Sequence, residues 1–425
     1  LELGAGDVAV ESPASGVDAM INVAFLAPFN MPTTLRFLRA VVGLEGMRVG
    51  LVSQESAERL PADLRRRLAA HYRVERGLDV EQLSIGVAAV AERLGSVDRL
   101  LAVLEQLQVP AAAVRERLSI AGMGVETARN FRDKSRMKTR LREFGLPCAR
   151  HQLVTSAAAA RLFAADVGFP IVAKPPAGAG ALSTFRVDRA TELDEALRIA
   201  APAAEQPLLL EEFMTGDEHS FDSVMVAGRL VWYSVSRYLA TPLEVLQKPW
   251  LQWSVLLPRE LDLPGYDEIR EVASRALEVL GLDTGLSHME WFRRPDGSVA
   301  ISEVGARPPG AQITTLLSYA HDIDLYRAWA GLMVDARFDA PPREYAVGAV
   351  YLRGRGAGRV VAVHGLERAQ AEVGELVVEA HLPQPGQTAA GGYEGDGYVV
   401  VRHPETRVVS AALERINDFV RVEVA

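Results

Sequence analysis

Cysteine is almost missing: Cys148 stands alone in a chain of 425 residues. One thiol closes no internal disulfide and builds no thiolate zinc site, which fits a reducing compartment and makes the cytoplasm the expected address. Long apolar runs are missing too. No stretch approaches the roughly 18 continuous apolar residues that a membrane-spanning helix requires. Residues 1–19 contain Asp7, Glu11 and Asp18 and no basic region leading into an apolar one, so export and membrane insertion are not expected. Positive charge is in deficit as well, with 46 Lys and Arg against 55 Asp and Glu and a formal charge of −9. That balance opposes broad attraction to nucleic acid or an anionic bilayer, while leaving room for a local anion site. Nor does a GxGxxG follow the first apolar run, so a dinucleotide-binding reading lacks its phosphate loop.

What is present is the composition of a globular catalytic body, 49% hydrophobic and 24% charged. The length corresponds to about three domains. Residues 1–19, rich in Gly, Ala and Ser, are expected to be a leader without fixed structure, with the fold starting near Met20; a strand in a subunit contact is the rival reading. Residues 21–27 read as a buried strand, Leu35, Leu38 and Val42 as one face of a helix, and Val49–Val52 as a second strand. This is the order of a parallel sheet covered by crossover helices, which places an α/β domain at 20–115. The basic run from Arg129 to Arg142, with Met137 and Leu141 inside it, reads as one solvated amphipathic helix ended by Gly145 and Pro147. A strand at Phe169–Lys174 opens into a loop of small residues, where backbone amides can approach a ligand. Ala227-Gly228-Arg229 reads as a hairpin turn and 268–280 as an amphipathic helix. From Glu344 onward, glycine-rich turns separate short strands. The segment 341–425 is read as a small α+β domain, with a hairpin turn at Arg353–Gly358, an edge strand after Gly397 and a short helix at 411–419.

Several side chains carry chemistry. Lys174 ends a buried strand, so its ammonium must meet a carboxylate, a ligand phosphate or water. With Lys134 it is suited to neutralising transferring phosphoryl oxygens, and the Gly178 and Gly180 loop to closing over phosphates. Glu290 and Glu303 fall in two strands joined by an Arg294–Gly297 turn. Their odd spacing leaves open whether they share a face, since turn geometry sets the register. Paired carboxylates are hard ligands of the kind magnesium takes. Arg307, in a Gly-Ala-Arg-Pro-Pro-Gly turn, is suited to gripping a carboxylate or phosphate with its fork; a salt bridge pinning the loop is the alternative. Trp232, Trp250 and Trp253 are candidates for lining an acceptor pocket or for a dimer contact, and Arg237 for binding the substrate carboxylate. His219 and His288 neighbour the acids. Cys148 reads as a packed thiol.

Taken in order, these features resemble the ATP-grasp superfamily, specifically its carboxylate–amine ligases and, more distantly, biotin carboxylase, over residues 20–340. The resemblance implies an α/β and α+β fold: an N-terminal parallel-sheet domain (20–115), a nucleotide clasp with a small lobe bearing a glycine-rich flap (116–205) and a large lobe bearing the metal site (206–340), and a small C-terminal α+β domain (341–425). It implies ATP and Mg2+, with Mn2+ as the substitute ion. Lys134 and Lys174, with Gly178, Gly180 and Ser183 of the flap, match phosphate contacts. Glu211, Glu212, Phe213 and Met214 match the hinge that reads adenine, and Glu218 the acid that holds the ribose. Glu290 and Glu303 match the metal carboxylates. Arg307, with Lys174 and Glu303, matches the catalytic group, and Arg307, Arg237, Trp232 and His288 are carried as substrate residues. One departure stands out: many relatives have asparagine two residues beyond the second glutamate, where this chain has Gly305. The implied activity is ADP-forming activation of a small carboxylic acid, an amino acid among the candidates, and its joining to a small amine. No nucleic-acid or membrane partner is expected, and a homodimer is left open. The alternatives are a bicarbonate-using enzyme of the biotin-carboxylase kind and, on account of Gly305, a non-catalytic ATP-binding regulator.

Overall fold

The run at Ile21–Leu26 forms β1, buried on both faces from Asn22 onward, which is why it is continuously apolar rather than alternating. A computed structural model describes residues 20–178, 184–248, 250–262, 264–339 and 341–425. After β1 come α1 (Pro32–Val42), β2 (Met47–Ser53), α2 (Ala62–Arg67), β3 (Ala70–Arg73), α3 (Val80–Leu94), β4 (Arg99–Ala102) and α4 (Gln108–Leu118). Pro32 opens α1 where a missing N–H costs nothing, and the Asp79 carboxylate caps α3 by accepting from the Gln82 N–H. The strands pair in parallel in the order β3-β2-β1-β4. Because β2 and β4 flank β1 on opposite sides, the loops leaving β1 and β4 diverge and open a crevice at the strands' C-terminal ends.

The basic run is two helices rather than one, α5 (Val125–Arg132) and α6 (Lys134–Glu143). Asp133 between them is extended, and its carboxylate accepts from the backbone N–H groups of Ser135 and Arg136, a cap that starts a new helix. Lys134 thereby becomes the first residue of α6, and the helix is not a solvated face: Lys134, Met137, Lys138 and Leu141 are all buried. The small lobe follows, with β5 (His151–Val154), α7 (Ala157–Val167), β6 (Ile171–Lys174), β7 (Phe185–Val187), α8 (Ala190–Ala200) and β8 (Leu208–Glu212). Its antiparallel sheet runs β5-β8-β6-β7 over its own core, which includes Phe163, Ile171, Leu193 and Leu210.

The large lobe holds β9 (Asp217–Val226), β10 (Arg229–Tyr238), α9 (Pro242–Gln247), β11 (Ser254–Leu257), α10 (Asp267–Leu280), β12 (Gly285–Arg293), β13 (Val299–Gly305), α11 (Ile313–His321) and α12 (Leu325–Asp335). Ala227 and Gly228, at φ of 49° and 72°, supply the two left-handed residues of a tight hairpin between β9 and β10. The C-terminal segment adds β14 (Ala346–Leu352), β15 (Val360–His364), α13 (Leu366–Val373), β16 (Val377–His381), β17 (Gly397–His403), α14 (Thr406–Phe419) and β18 (Arg421–Val424). One antiparallel sheet of eight strands crosses from lobe to segment in the order β13-β12-β9-β10-β11-β14-β17-β16. Two expectations are corrected here. β17 is no edge strand, since it lies between β14 and β16, and Arg353–Gly358 is no hairpin turn, since β14 and β15 belong to different sheets.

Each face of the large sheet has its own cover. Ile269, Leu277 and Met137, from α10 and α6, pack on Phe221, Met289 and Trp291. On the opposite side α11 and α12 share a core with the N-terminal domain, where Phe37 of α1 meets the Trp329 ring edge-on at 4.9 Å. No helix among the described residues is long and apolar enough to cross a membrane.

Candidate active site

The crevice beside β1 and β4 forms one wall of a cavity of about 780 Å³. Every unit contributes to it: Thr34 and Glu105 from the N-terminal domain, Lys174 and Glu211 from the small lobe, Glu290, Glu303 and Arg307 from the large lobe, and Tyr393 and Glu394 from the C-terminal segment.

The strand register settles the facing of the acids. Glu290 of β12 lies directly opposite Glu303 of β13, and the pairing slips by one residue immediately after Glu290. Directly opposed residues project from the same face, so both carboxylates enter the cavity. On the other side of β12, Ser220 and Asp222 of β9 oppose Glu290 and His288. His288 Nδ1 is 2.7 Å from Asp222 Oδ1, while its Nε2 lies 4.0 Å from Glu290 Oε1. A histidine fixed through one nitrogen by a carboxylate presents the other in a defined tautomer. Burial lowers the affinity of His288 for a proton, but the Asp222 carboxylate outweighs it and raises its pKa.

The acids do not share one electrostatic fate. Burial, then the Glu303 charge, raise the pKa of Glu290; burial, then Glu290, hold Glu218 well above the ordinary range. Glu303 goes the other way. Burial opposes its ionisation, but Lys134, whose Nζ lies 2.8 Å from Glu303 Oε1, and Lys174 bring it down to about 2. Excess negative charge thus collects around Glu290 and Glu218, a state that a bound cation relieves.

The lysines meet on a second carboxylate. Glu211, buried on β8, pairs with Lys174 at 2.9 Å and with Lys138 at 3.1 Å. Burial alone raises the Glu211 pKa, yet the two ammoniums bring it below the usual value. Burial lowers the Lys138 pKa, while for Lys174 the Glu211, Glu303 and Glu290 charges outweigh burial and raise it. The two ammoniums differ because Lys174 also faces the acid pair. Lys138 also donates to the Ser302 carbonyl, beside Glu303.

Several expected site residues behave differently from expectation. Glu211, expected at the adenine edge, has its carboxylate engaged by two ammoniums. Glu212 lines the cavity but turns to Arg150 at 3.5 Å. Phe213 and Met214 both line the cavity, and the Phe213 N–H donates to the Pro170 carbonyl at 3.3 Å. Glu218 is buried in the cavity wall. The Gly178 carbonyl, rather than its amide, is used, accepting from Lys134 Nζ at 3.1 Å and from Arg132 at 3.0 Å. Gly180 and Ser183 lie outside the described residues. Two substrate candidates do not reach the cavity. Arg237 points to the other face of β10 from the cavity-lining Tyr238 and donates to the Tyr266 hydroxyl at 3.0 Å. Trp232 is a core residue, packed against His321 and Phe338. His288 and Arg307 do line the cavity.

Glu105 was not foreseen. It follows β4 at the mouth of the crevice, is buried, and accepts from Arg307 Nε while lying 3.7 Å from Arg132. Arg307 stays charged because Glu105 outweighs the cost of burial. The place where a side chain at Gly305 would start is 3.6 Å from the Glu105 carboxylate and 3.6 Å from Arg307 Cγ. The missing side chain therefore leaves room for a carboxylate from another domain. The position of Glu105 at the divergence point of the parallel sheet is the signal that would have pointed to it. Lys138, four residues after Lys134, shares its helix face, a spacing already legible in the basic run.

Known proteins are similar to this chain in sequence and in fold. Residues 133–226 match the family described as carbamoyl-phosphate synthase L chain, ATP binding domain, a stretch that contains Lys134, Lys174, Glu211 and Glu218. An L-arginine-specific L-amino acid ligase of Bacillus subtilis is 25% identical over 279 residues, 64% of this chain and 67% of that one. An alanine–anticapsin ligase of Bacillus subtilis (strain 168) is 26% identical over 268 residues, 58% of this chain and 55%, little more than half, of that enzyme. The crystal structure of an L-amino acid ligase from Bacillus licheniformis superposes with a TM-score of 0.77 at 19% identity, covering 95% of this chain and 99% of that one. In fold, and over residues 133–226 in sequence, the chain resembles the ATP-grasp superfamily, with carboxylate–amine ligases among its relatives and biotin carboxylases among the structures that share its fold.

Proposed function

We propose that the protein is an ADP-forming ligase that activates a small carboxylic acid with ATP and joins it to an amine. The observation that carries this reading is the convergence of Lys134 and Lys174 with the opposed pair Glu290 and Glu303 in one cavity. In this reading the adenine rests against the hinge at Met214, Glu218 takes the ribose hydroxyls, and the two lysines neutralise phosphate oxygens.

Glu290 and Glu303 would hold magnesium, or manganese in its place, and their residual repulsion fits a divalent ion. Among the described residues no three acidic, histidine or cysteine side chains already surround a cation position. That suits an ion held by one or two carboxylates and completed by phosphate and water. When bound, the ion supplies charge neutralisation to the triphosphate. Arg307, oriented by Glu105, grips the substrate carboxylate. A carboxylate oxygen attacks the γ-phosphorus, the bond to the bridging oxygen of ADP breaks, and an acyl phosphate forms. The amine then attacks the acyl carbon, loses a proton, and inorganic phosphate leaves. Positioning and electrostatics do the work, and no protein nucleophile is needed. Cys148 lies partly buried, with its thiol pKa raised by burial, as suits a packed residue.

The test is ADP and phosphate release measured across a panel of carboxylic acids, amino acids and amines with Mg2+. Acid-dependent release that disappears in Glu303→Gln supports the reading. Release that depends on bicarbonate alone moves the assignment to a carboxylase, and ATP binding without turnover on any acid leaves a regulator.

A further inference from the structure

Most carboxylates of the cavity wall already have a cation. Glu105 meets Arg307, Glu211 meets Lys138 and Lys174, Glu303 meets Lys134, Glu212 meets Arg150, and Glu244 meets Lys248. Glu218 and Glu290 belong to the nucleotide and metal end. Glu394 is left over: it lines the cavity and, among the described residues, has no cation within ion-pair distance. Glu394 is an exposed residue of the cavity lining; the desolvation it meets there raises its pKa, while Arg307 acts to lower it.

The loop that carries Glu394 is held on both sides. Tyr393 sets its ring edge against Trp253 at 4.7 Å. The Asp396 N–H donates to the Leu352 carbonyl at 2.8 Å, and its carboxylate accepts from the Ala390 N–H at 2.6 Å. Gly395 has φ of 60°, and a Cβ there would overlap the Leu352 carbonyl. Glu394 therefore sits on a fixed ledge of the C-terminal segment, in the same cavity as Arg307. Arg307 uses Nε on Glu105 and Nη1 on the Pro308 carbonyl, and Nη2 makes no hydrogen bond among the described residues. One cavity thus offers a guanidinium nitrogen and an uncompensated carboxylate, the inverse of the charges on a free α-amino acid.

We propose that Glu394 anchors the α-ammonium of the acid substrate whose carboxylate Arg307 grips, so that this substrate is an α-amino acid and the C-terminal segment selects it. The inference rests on the ligase reading for the role of Arg307. Its test is calorimetric titration of the full chain, with MgADP present, by proteinogenic amino acids and by their amine-less counterparts, such as propionate for alanine and 4-methylpentanoate for leucine. The wild type is expected to bind at least one amino acid at least about tenfold more tightly than its amine-less counterpart, the worth of a charge-assisted hydrogen bond. Glu394→Gln should bring that preference to within about twofold with MgADP affinity unchanged, and Glu394→Asp should keep part of it. Equal binding of the paired ligands, a preference that survives in Glu394→Gln, or no binding of any amino acid overturns the inference. The two readings fail separately. Amine-less acids that support ADP formation equally well leave the ligase and remove the anchor, whereas Glu394-dependent amino-acid binding without any ADP formation leaves the anchor and removes the ligase.

Discussion

Glu211 and Glu290 are the same residue in the same cavity, and their surroundings drive them in opposite directions. Two lysines hold Glu211 ionised, while burial and then the Glu303 charge resist the ionisation of Glu290. A buried charge with its counter-ions in place is part of the scaffold; one crowded by like charge is a site waiting for a ligand. The contrast separates what holds the cavity together from what the cavity is for.

The sharpest way to break the contrast is to remove each acid in turn. Glu211→Ala leaves two buried ammoniums without their anion and should destabilise the fold by about 3–5 kcal/mol in urea denaturation. Lys138→Met, which leaves a neutral Lys174–Glu211 pair, should cost clearly less. Glu290→Gln should leave stability unchanged or slightly raised, within about 1 kcal/mol. Any gain belongs at neutral pH and disappears in acid, because the elevated pKa of Glu290 means that ionising it in the fold is the costly step. A matching loss of stability in both variants would show that the two acids are not distinct. In turnover the order reverses, and Glu290→Gln and Glu303→Gln should each lower kcat/KM for MgATP by about 10²–10³-fold.

A buried ionisable group with no carboxylate partner gives a third case. Burial, then Arg343, lower the pKa of His321 from 6.5 to about 4. Above pH 6.5 the residue is neutral in both states and costs nothing. Between 6.5 and 4 the unfolded chain takes a proton that the fold refuses, so stability falls as the pH falls. The expected loss at pH 5 relative to pH 7 is about 2 kcal/mol, and His321→Gln should remove it. The smallest effect belongs to Gly305. Ala at 305 meets Glu105 at an ordinary 3.6 Å and should change stability by less than about 0.5 kcal/mol. Asn there must displace the Glu105–Arg307 pair, and should raise the KM for the acid substrate more than that for ATP. Equal behaviour of the two variants would remove Glu105 from the account.

Local signals made much of this legible. The unbroken apolar run of β1, the proline opening α1 and the strand ending at Lys174 are short-range facts, and the sheet and helices follow from them. The order of the lysines and acids was legible for the same reason. The register of Glu290 against Glu303 was not, because a one-residue slip after Glu290 sets it. Asp133 hid in the basic run as one more polar residue, although its cap splits the run and turns Lys134 and Lys138 inward. Those lysines looked solvated because their anions, Glu211 and Glu303, come from elsewhere in the chain. Glu105 and Glu394 were invisible as site residues for the same reason: each is an unremarkable acid until the topology delivers it to the cavity. Arg237 and Trp232 were misplaced because strand alternation leaves the inward face undetermined until a partner strand fixes it.

The core shared by α1, α12 and the N-terminal sheet, set against the separate core of the small lobe, has a mechanical consequence. The N-terminal domain and the large lobe form one frame, and the small lobe hangs from it as a panel on two narrow straps, the stretch after α6 and the link from β8 to β9. Gly216 in the second strap has φ of 129°, and a Cβ there would strike the Arg293 carbonyl, so only glycine lets the strap pass this close to the end of β12. On the proposed function, a swing that admits or releases ATP belongs to the panel rather than to the frame. A covalent tether across the frame should leave the cycle running, and one tether from panel to frame should stop it.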